Sequence, residues 1–321
     1  MSKSTLEVKS LTKYFPLRGW KNRGKHVKAV DDISFSLERG KTLSIVGETG
    51  SGKSSLANQL VGADTPTSGQ VFIHDQNVYQ LAKSEQRDYF KKIRMVFQNP
   101  YSSLNPAARI ETILEEPLKI NTNMNAAERS AAIANALQRV GLRENHKYRF
   151  PHMFSGGQRQ RIAIARALML QPEVIVADEP LSALDVSVQA QILNLFMDLQ
   201  EQLELSYVFI SHDLGVVEHI SDYVLVMYRG QLMEYGEVDQ IFDAPKHPYT
   251  HKLLASTPTY RHLIDLKPDQ VTAEFKKQAK HSDGCVFASR CPYATQHCLE
   301  QQPSIKEFAG QTVKCHAPLG V

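Results

Sequence analysis

Residues 42–61 constrain this chain more than any other stretch. Thr42-Leu43-Ser44-Ile45-Val46 is a short apolar run. It leads into Gly47-Glu48-Thr49-Gly50-Ser51-Gly52-Lys53-Ser54, and Lys53 to Val61 continues with Leu56, Leu60 and Val61 at helical spacing. Strand, loop and helix in that order are the context a G-x-x-x-x-G-K-[ST] phosphate loop requires. Its glycines let backbone N–H groups converge on phosphate oxygens at a helix N-terminus, where the helix dipole favours negative charge. Lys53 is placed to neutralise the β- and γ-phosphates and Ser54 to ligate Mg²⁺, with Ser55 beside it.

The rest of the chain reads as an α/β core built around that loop. Residues 6–15, 27–37, 93–97, 174–178, 206–211 and 222–228 have strand patterns, and 186–204 reads as a helix. Residues 106–170 are mainly helical, Asn125 to Val140 being the clearest amphipathic stretch, so a helical subdomain is expected to be inserted between two strands. Pro16 to Lys28 holds Arg18, Lys21, Arg23, Lys25 and Lys28 around Trp20; it reads as a solvated loop, with contact to anionic lipid headgroups as the sharper alternative.

At 321 residues there is room for a large domain plus an extension, and a net charge of +3 points to no nucleic-acid partner. No run approaches the ~18 apolar residues of a membrane span, and Met1 to Thr5 lacks the apolar core of a signal peptide. A cytosolic protein is expected, with any membrane role supplied by a partner.

Two further groups carry chemistry. Val174-Ile175-Val176-Ala177 ends in Asp178-Glu179, placing two carboxylates at the carboxyl edge of a sheet, where α/β proteins bind ligands. Alternation along a strand sends them in different directions, which permits different tasks. Phe154-Ser155-Gly156-Gly157-Gln158 opens a helix running to Leu170, so Ser155 and the N–H groups of Gly156 and Gly157 form a second site attractive to an anion. Since the chain already has a phosphate loop, a head-to-tail sandwich, in which Ser155 of one subunit completes the site on Lys53 of another, reconciles the two.

With the phosphate loop, FSGGQ and Asp178-Glu179 in this order, the chain resembles the ATPase subunit of an ABC transporter. The resemblance implies a P-loop NTPase core with an antiparallel β subdomain and an inserted helical subdomain. It also implies bound ATP and Mg²⁺. Asp178 would hold Mg²⁺ through water, and Glu179 would polarise the attacking water as general base. Gln98 would link Mg²⁺ and that water to the membrane-facing side, and His212 would contact the γ-phosphate. Ser182-Ala183-Leu184-Asp185 matches the loop that contacts the opposing subunit. Tyr14 and Phe15 are both candidates to stack on adenine; offset from Lys13 favours Phe15, and the alternative is that either ring is strand core. The family usually begins the FSGGQ-type motif with Leu; Phe154 stands here at a position expected to pack rather than bind.

All four cysteines, Cys285, Cys291, Cys298 and Cys315, lie near the C-terminus, after a polar stretch from Lys267 to Ser282. Clustering of this kind in a cytosolic chain favours a metal or cluster site over disulfides. The C-x5-C-x6-C-x16-C spacing lacks the tight pairs of zinc sites and leans toward a 4Fe–4S cluster, with zinc the weaker alternative and four reduced thiols the plain one. G-C-x-F-x-x-R-C-P and V-x-C-H, with Asn99-Pro100-Tyr101-Ser102-Ser103-Leu104-Asn105-Pro106 and His247-Pro248-Tyr249-Thr250, are similar to ATPases of bacterial dipeptide and oligopeptide importers, some of which carry such a cluster. The family's proline-rich approach to the first cysteine is replaced here by Gln270 to Ser282.

The expectation is a nucleotide-binding domain over 1–258, with a helical subdomain at about 99–170, and a small cysteine-rich extension over 259–321. By resemblance it is the ATP-hydrolysing subunit of a peptide importer at the cytoplasmic face of the inner membrane. It would work with two integral membrane permeases and a second, related ATPase (a heterodimer favoured over a homodimer), and indirectly with a periplasmic solute-binding protein. The rivals are a soluble ABC ATPase acting on nucleic acid or ribosomes and a cluster-based, redox-responsive ATPase.

Overall fold

The computed structural model of the chain describes residues 4–17, 24–99, 103–257, 260, 272–279 and 283–320. Arg18, Trp20, Lys21 and Arg23 of the basic loop, Pro100 to Ser102 and much of the polar stretch after Lys267 lie outside the described residues.

Five strands form a parallel core. They are β3 (Thr42–Val46), β6 (Ile93–Val96), β7 (Val174–Asp178), β8 (Ser206–Ile210) and β9 (Tyr223–Tyr228), lying in the order β9-β3-β8-β7-β6. Continuous apolar runs are what a sheet buried on both faces requires. Period two then divides each run between two cores. Tyr207 and Phe209 of β8 join the cluster on one face while Val208 and Ile210 join that on the other, and Ile175 and Ala177 of β7 alternate with Val174 and Val176 in the same way.

The first face is covered by α6 (Val186–Leu203) and by the helices between β6 and β7: α3 (Ile110–Asn121), α4 (Ala126–Arg139) and α5 (Gly156–Leu168). Phe196 of α6 stands edge-on to both Tyr207 and Phe209, with ring centroids 5.4 and 5.8 Å apart. Asn125 starts α4 by accepting from Glu128 N, while the Glu128 carboxylate accepts from Asn125 N, a reciprocal cap worth about 1 kcal/mol.

The second face packs on α1 (Lys53–Leu60) and on an antiparallel sheet of β1 (Ser4–Pro16), β2 (His26–Glu38), β4 (Ser68–Ile73) and β5 (Gln76–Asn77), in the order β2-β1-β4-β5. Helix α2 (Lys83–Lys91) leads from this sheet back to β6. Beyond β8, α7 (Leu214–Ile220) precedes β9, and β10 (Gln231–Glu237) returns antiparallel beside β9, followed by α8 (Val238–Asp243) and α9 (Pro248–Ala255).

Several elements differ from the sequence reading. The strand expected from residue 222 starts at Tyr223, with Asp222 tying its start to the neighbouring strand: its carboxylate accepts from Thr42 N at 2.8 Å and pairs with Lys41 Nζ at 2.7 Å. Five strands went unread: β4, β5 and β10, together with β11 (Ile305–Phe308) and β12 (Gln311–Lys314). The C-terminal segment, which also contains α10 (Ala273–Ala279) and α11 (His297–Glu300), does not stand apart as a small separate module. β12 pairs with β10, so β10, β12 and β11 extend the core to eight strands. Phe287 likewise packs against Tyr228 and Tyr249 in the core cluster beside β9.

Candidate active site

Four neighbouring parallel strands deliver four loops to one edge of the sheet. β3 ends in the phosphate loop, β8 leads to His212, β7 to Asp178 and Glu179, and β6 to Gln98. This is the carboxyl edge, where open α/β sheets gather ligand-binding groups. Sequence motifs separated by more than a hundred residues are thereby brought together.

The phosphate loop fits only because two glycines let backbone approach backbone. A Cβ on Gly52, whose φ is 105°, would lie 1.9 Å from the Ala29 carbonyl oxygen, and one on Gly47 would lie 2.2 Å from that of Met227. Gly52 then caps α1 with no side-chain hydrogen bond, leaving the first N–H groups of the helix to face an anion. Lys53 is buried, and its Nζ donates to Gly47 O at 2.7 Å and Glu48 O at 3.0 Å. Burial lowers its pKa, opposed by Glu179, Asp178 and Glu48, so an added phosphate has a desolvated cation to meet.

Asp178 is also buried, and desolvation raises its pKa against a hydrogen bond from Ser54, the serine expected to hold Mg²⁺ with it. Glu179 departs from the strand with φ 45°, a left-handed conformation unusual for glutamate. Its N–H donates to Ile210 O at 2.9 Å, and its own carbonyl accepts from Ser182 Oγ at 3.0 Å. The turn aims its carboxylate sideways: Oε2 accepts from Gln98 Nε2 at 2.8 Å and lies 3.4 Å from His212 Nδ1. Gln98, expected to reach the attacking water, and His212, expected to reach the γ-phosphate, therefore meet at one oxygen of the candidate base Glu179.

Phe15 is 40 % exposed, with Lys13 Nζ 5.0 Å from its ring centroid, so it is not strand core. It pairs with Val27 on β2, two residues before Ala29, whose carbonyl packs on Gly52. Tyr14, the other candidate, is held by its hydroxyl to Asp31.

The FSGGQ helix start is not among the groups around Lys53. Ser155 is exposed and caps α5, accepting from Gln158 N at 3.4 Å while Gln158 Oε1 accepts from Ser155 N at 3.2 Å. It stands beside the Ser182–Asp185 loop: positions Gly156 and Gly157 lie against Leu184 and Val188. Asp185 is exposed at the start of α6, and Val186 after it is 81 % exposed. Phe154 is buried and edge-on to His146, the packing role expected of it.

Cys285, Cys291, Cys298 and Cys315 line one small pocket with His247, Phe287 and His316, and none forms a disulfide. Burial pushes the Cys291 thiol up to about 12 and that of Cys315 up to about 11, and raises Cys285 as well. Among the described residues, however, no group of three or more His, Cys, Asp or Glu is placed to hold a metal ion. The expected metal ligation is thus not made among the described residues, although the four thiols line one pocket.

One contact was not anticipated. Arg290, adjacent to Cys291, forks onto the phosphate-loop residue Glu48 with two 2.7 Å hydrogen bonds. The R-C-P motif that drew attention to the cysteine also contained this arginine.

Residues 30–182 match the ABC transporter family model, and residues 233–298 match the C-terminal region of oligopeptide and dipeptide transporters. The chain is 50 % identical to the dipeptide transport ATP-binding protein DppF of Haemophilus influenzae, over 97 % of this chain and 95 % of that protein. It is 49 % identical to DppF of Escherichia coli strain K12 (97 % and 94 %), and 46 % identical to the oligopeptide transport ATP-binding protein AppF of Bacillus subtilis (97 % and 96 %). Among solved structures, it superposes on the dimeric ATP-binding cassette MJ0796 in a post-hydrolysis state with ADP and Pi. The TM-score is 0.64 at 29 % identity, covering 73 % of this chain and 98 % of that one. With its sheet edge bearing the phosphate loop, Glu179, Gln98 and His212 and 97 % of its length matched to such relatives, the chain belongs to the ATP-hydrolysing, ATP-binding subunits of ABC transporters, in the dipeptide and oligopeptide transport family.

Proposed function

We propose that this subunit drives uptake of dipeptides or oligopeptides across the inner membrane, working from the cytoplasmic face as one half of a head-to-tail ATPase pair. The observation that carries the catalytic part is the meeting of Gln98 and His212 at the Glu179 carboxylate. Lys53 and the N–H groups opening α1 hold the β- and γ-phosphates, and Phe15 stacks on adenine. Ser54, and Asp178 through water, would hold Mg²⁺, which when bound would supply positive charge beside the phosphate oxygens. Glu179 accepts a proton from water as its oxygen attacks the γ-phosphorus, ADP departs, and Gln98 and His212 orient water and phosphate.

The exposed surface shared by Ser155 and Asp185 supports a facing subunit. So does the likeness to a dimeric cassette. A second, related ATPase is favoured over a copy of this chain, and two permeases would receive the motion of closure. A cleft of about 250 Å³ between β6 and α5, lined in part by Phe97 and Arg166, supports docking there. Among the described residues no helix is long and apolar enough to cross a membrane, and the proposed permeases would supply the membrane pathway.

The cysteine spacing, which lacks the tight pairs of zinc sites, and the likeness of this segment to peptide-transporter ATPases support a 4Fe–4S cluster over zinc at the pocket the four cysteines line. When bound, such a group would supply thiolate cross-links or electron storage. The chain's own part is to hold Cys285, Cys291, Cys298 and Cys315 in a buried setting. Anaerobic protein with absorbance near ~400 nm and about four irons per chain supports this; colourless protein with one zinc removes it.

The test of transport is uptake of a labelled dipeptide by cells expressing the complete transporter. Uptake is expected to stop with Glu179→Gln, and uptake unaffected by loss of this subunit would overturn the reading.

A further inference from the structure

We propose that Arg290 is a positioning residue of the ATP site, reaching from the cysteine-bearing segment to set the phosphate loop through Glu48. It touches neither phosphate nor the Lys53 side chain. Its guanidinium meets the Glu48 carboxylate in a fork, Nη1 to Oε2 and Nη2 to Oε1, both at 2.7 Å.

Glu48 is held on every side. Its N–H donates to the buried Tyr249 hydroxyl at 3.0 Å, and its carbonyl accepts from Ser51 N at 3.1 Å and from Lys53 Nζ at 3.0 Å. Through its side chain Glu48 is thus gripped from the C-terminal segment, and its backbone oxygen touches the Lys53 ammonium proposed to bind phosphate. Arg290 is itself fixed: Nη1 also donates to Tyr228 Oη at 3.3 Å, and the guanidinium lies 5.6 Å from the Tyr228 ring centroid and 6.0 Å from that of Phe287. The pairing holds the Glu48 carboxyl below its ordinary range, chiefly through the hydrogen bonds from Arg290.

A half-exposed ion pair is ordinarily worth little, but this one is bidentate, anchored on aromatic rings and spans 242 residues of sequence. Its removal loosens the loop before nucleotide arrives, which costs affinity rather than the chemical step.

The test is a mutant cycle on the full-length chain, reading equilibrium binding of a fluorescent ATP analogue and, in the assembled transporter, KM and kcat for ATP. Arg290→Ala is expected to weaken binding and raise KM about 5- to 10-fold, with kcat within about 2-fold of wild type. Arg290→Lys, keeping charge without the fork, should fall between. Glu48→Ala should match Arg290→Ala, and the double variant should be no worse than the weaker single. Glu48→Gln keeps the side chain's shape and serves if Arg290→Ala does not fold; it too should raise KM. Wild-type affinity in Arg290→Ala or Glu48→Gln overturns the proposal, as do losses that multiply in the double variant or a fall in kcat with KM unchanged. Because nucleotide binding is measured directly, failure here leaves the transport reading standing, and failure of peptide uptake leaves this one standing.

Discussion

Two helix starts in this chain look alike in sequence and are built for opposite circumstances. α1 begins at Gly52 with no side-chain cap, a lysine beneath it and two carboxylates nearby. α5 begins at Ser155, which closes a reciprocal cap with Gln158 and lies exposed. The first leaves its N–H groups for a phosphate and surrounds the place with chemistry. The second satisfies itself and offers only a hydroxyl and N–H groups to whatever docks. A glycine-rich helix start is therefore not one kind of site; what lies around it decides whether it binds within the chain or toward another.

The sharpest break in this comparison is Glu179→Gln. Turnover is expected to fall by roughly 10²- to 10⁴-fold with ATP affinity kept within about 3-fold, as measured by steady-state hydrolysis and nucleotide binding. Lys53→Ala should instead cost affinity, on the order of 100-fold, because a desolvated charge partner is lost. Equal losses from the two would erase the division between holding phosphate and activating water.

Ser155 then separates the two helix starts. Ser155→Ala should reduce hydrolysis about 10-fold in the facing subunit's site and cost about 1 kcal/mol of stability through the lost cap. Ser155→Asp restores the cap but sets a carboxylate against a γ-phosphate. It should melt like wild type in a thermal scan yet hydrolyse ATP more slowly than the alanine variant. An aspartate variant with wild-type turnover would reduce this helix start to a structural cap.

The smallest effect concerns two buried groups beside the cysteine pocket. His247 is buried and held neutral, its pKa lowered to about 3 by burial, while burial raises Glu234 to about 7 even though its carboxylate accepts from Lys246 N and His247 N. The lowered histidine gives stability that is present above about 6.5 and lost as pH falls toward 3; the raised glutamate gives stability that is full below about 4.5 and lost as pH rises through 7. Between about 4.5 and 6.5 the two oppose each other, so urea midpoints should vary little there and drop below pH 4.5. Glu234→Gln should leave the midpoint falling from about pH 6.5 downward without the compensating plateau.

The parallel core was legible because strands buried on both faces write themselves as unbroken apolar runs: Thr42–Val46 and Val174–Asp178 have the ends expected of them. The missed strands hide for an opposite reason. β4 and β5 turn at His74 and Asp75 with φ of 50° and 65°, a two-residue hairpin without the Asn-Gly or Asp-Gly that usually signals one. β9–β10 and β11–β12 turn at Arg229-Gly230 and Ala309-Gly310, where the glycine in second place was a signal that could have been used. The candidate catalytic residues were picked out by motif, and the structure adds what motifs do not state, that Gln98 and His212 converge on the same oxygen of Glu179. The Arg290–Glu48 fork was illegible: no local pattern links residues 242 apart, and it is tertiary packing, such as that of Phe287 on Tyr228 and Tyr249, that brings them together.

The added strands also bear on how this protein can be handled. A sheet that ended at β10 would present the Glu234 and Tyr235 backbone groups, now paired with Val313 and Thr312, as a template for another chain. Instead the outermost strand is β11, four residues long, with exposed Lys306 and Glu307 at its centre, a poor surface for unintended pairing. Deleting the chain beyond residue 300 to remove Cys315 strips away that guard along with the thiol. Aggregation of such a truncated protein would report an uncovered sheet edge, and point substitutions of single cysteines are the cleaner route to the pocket's role.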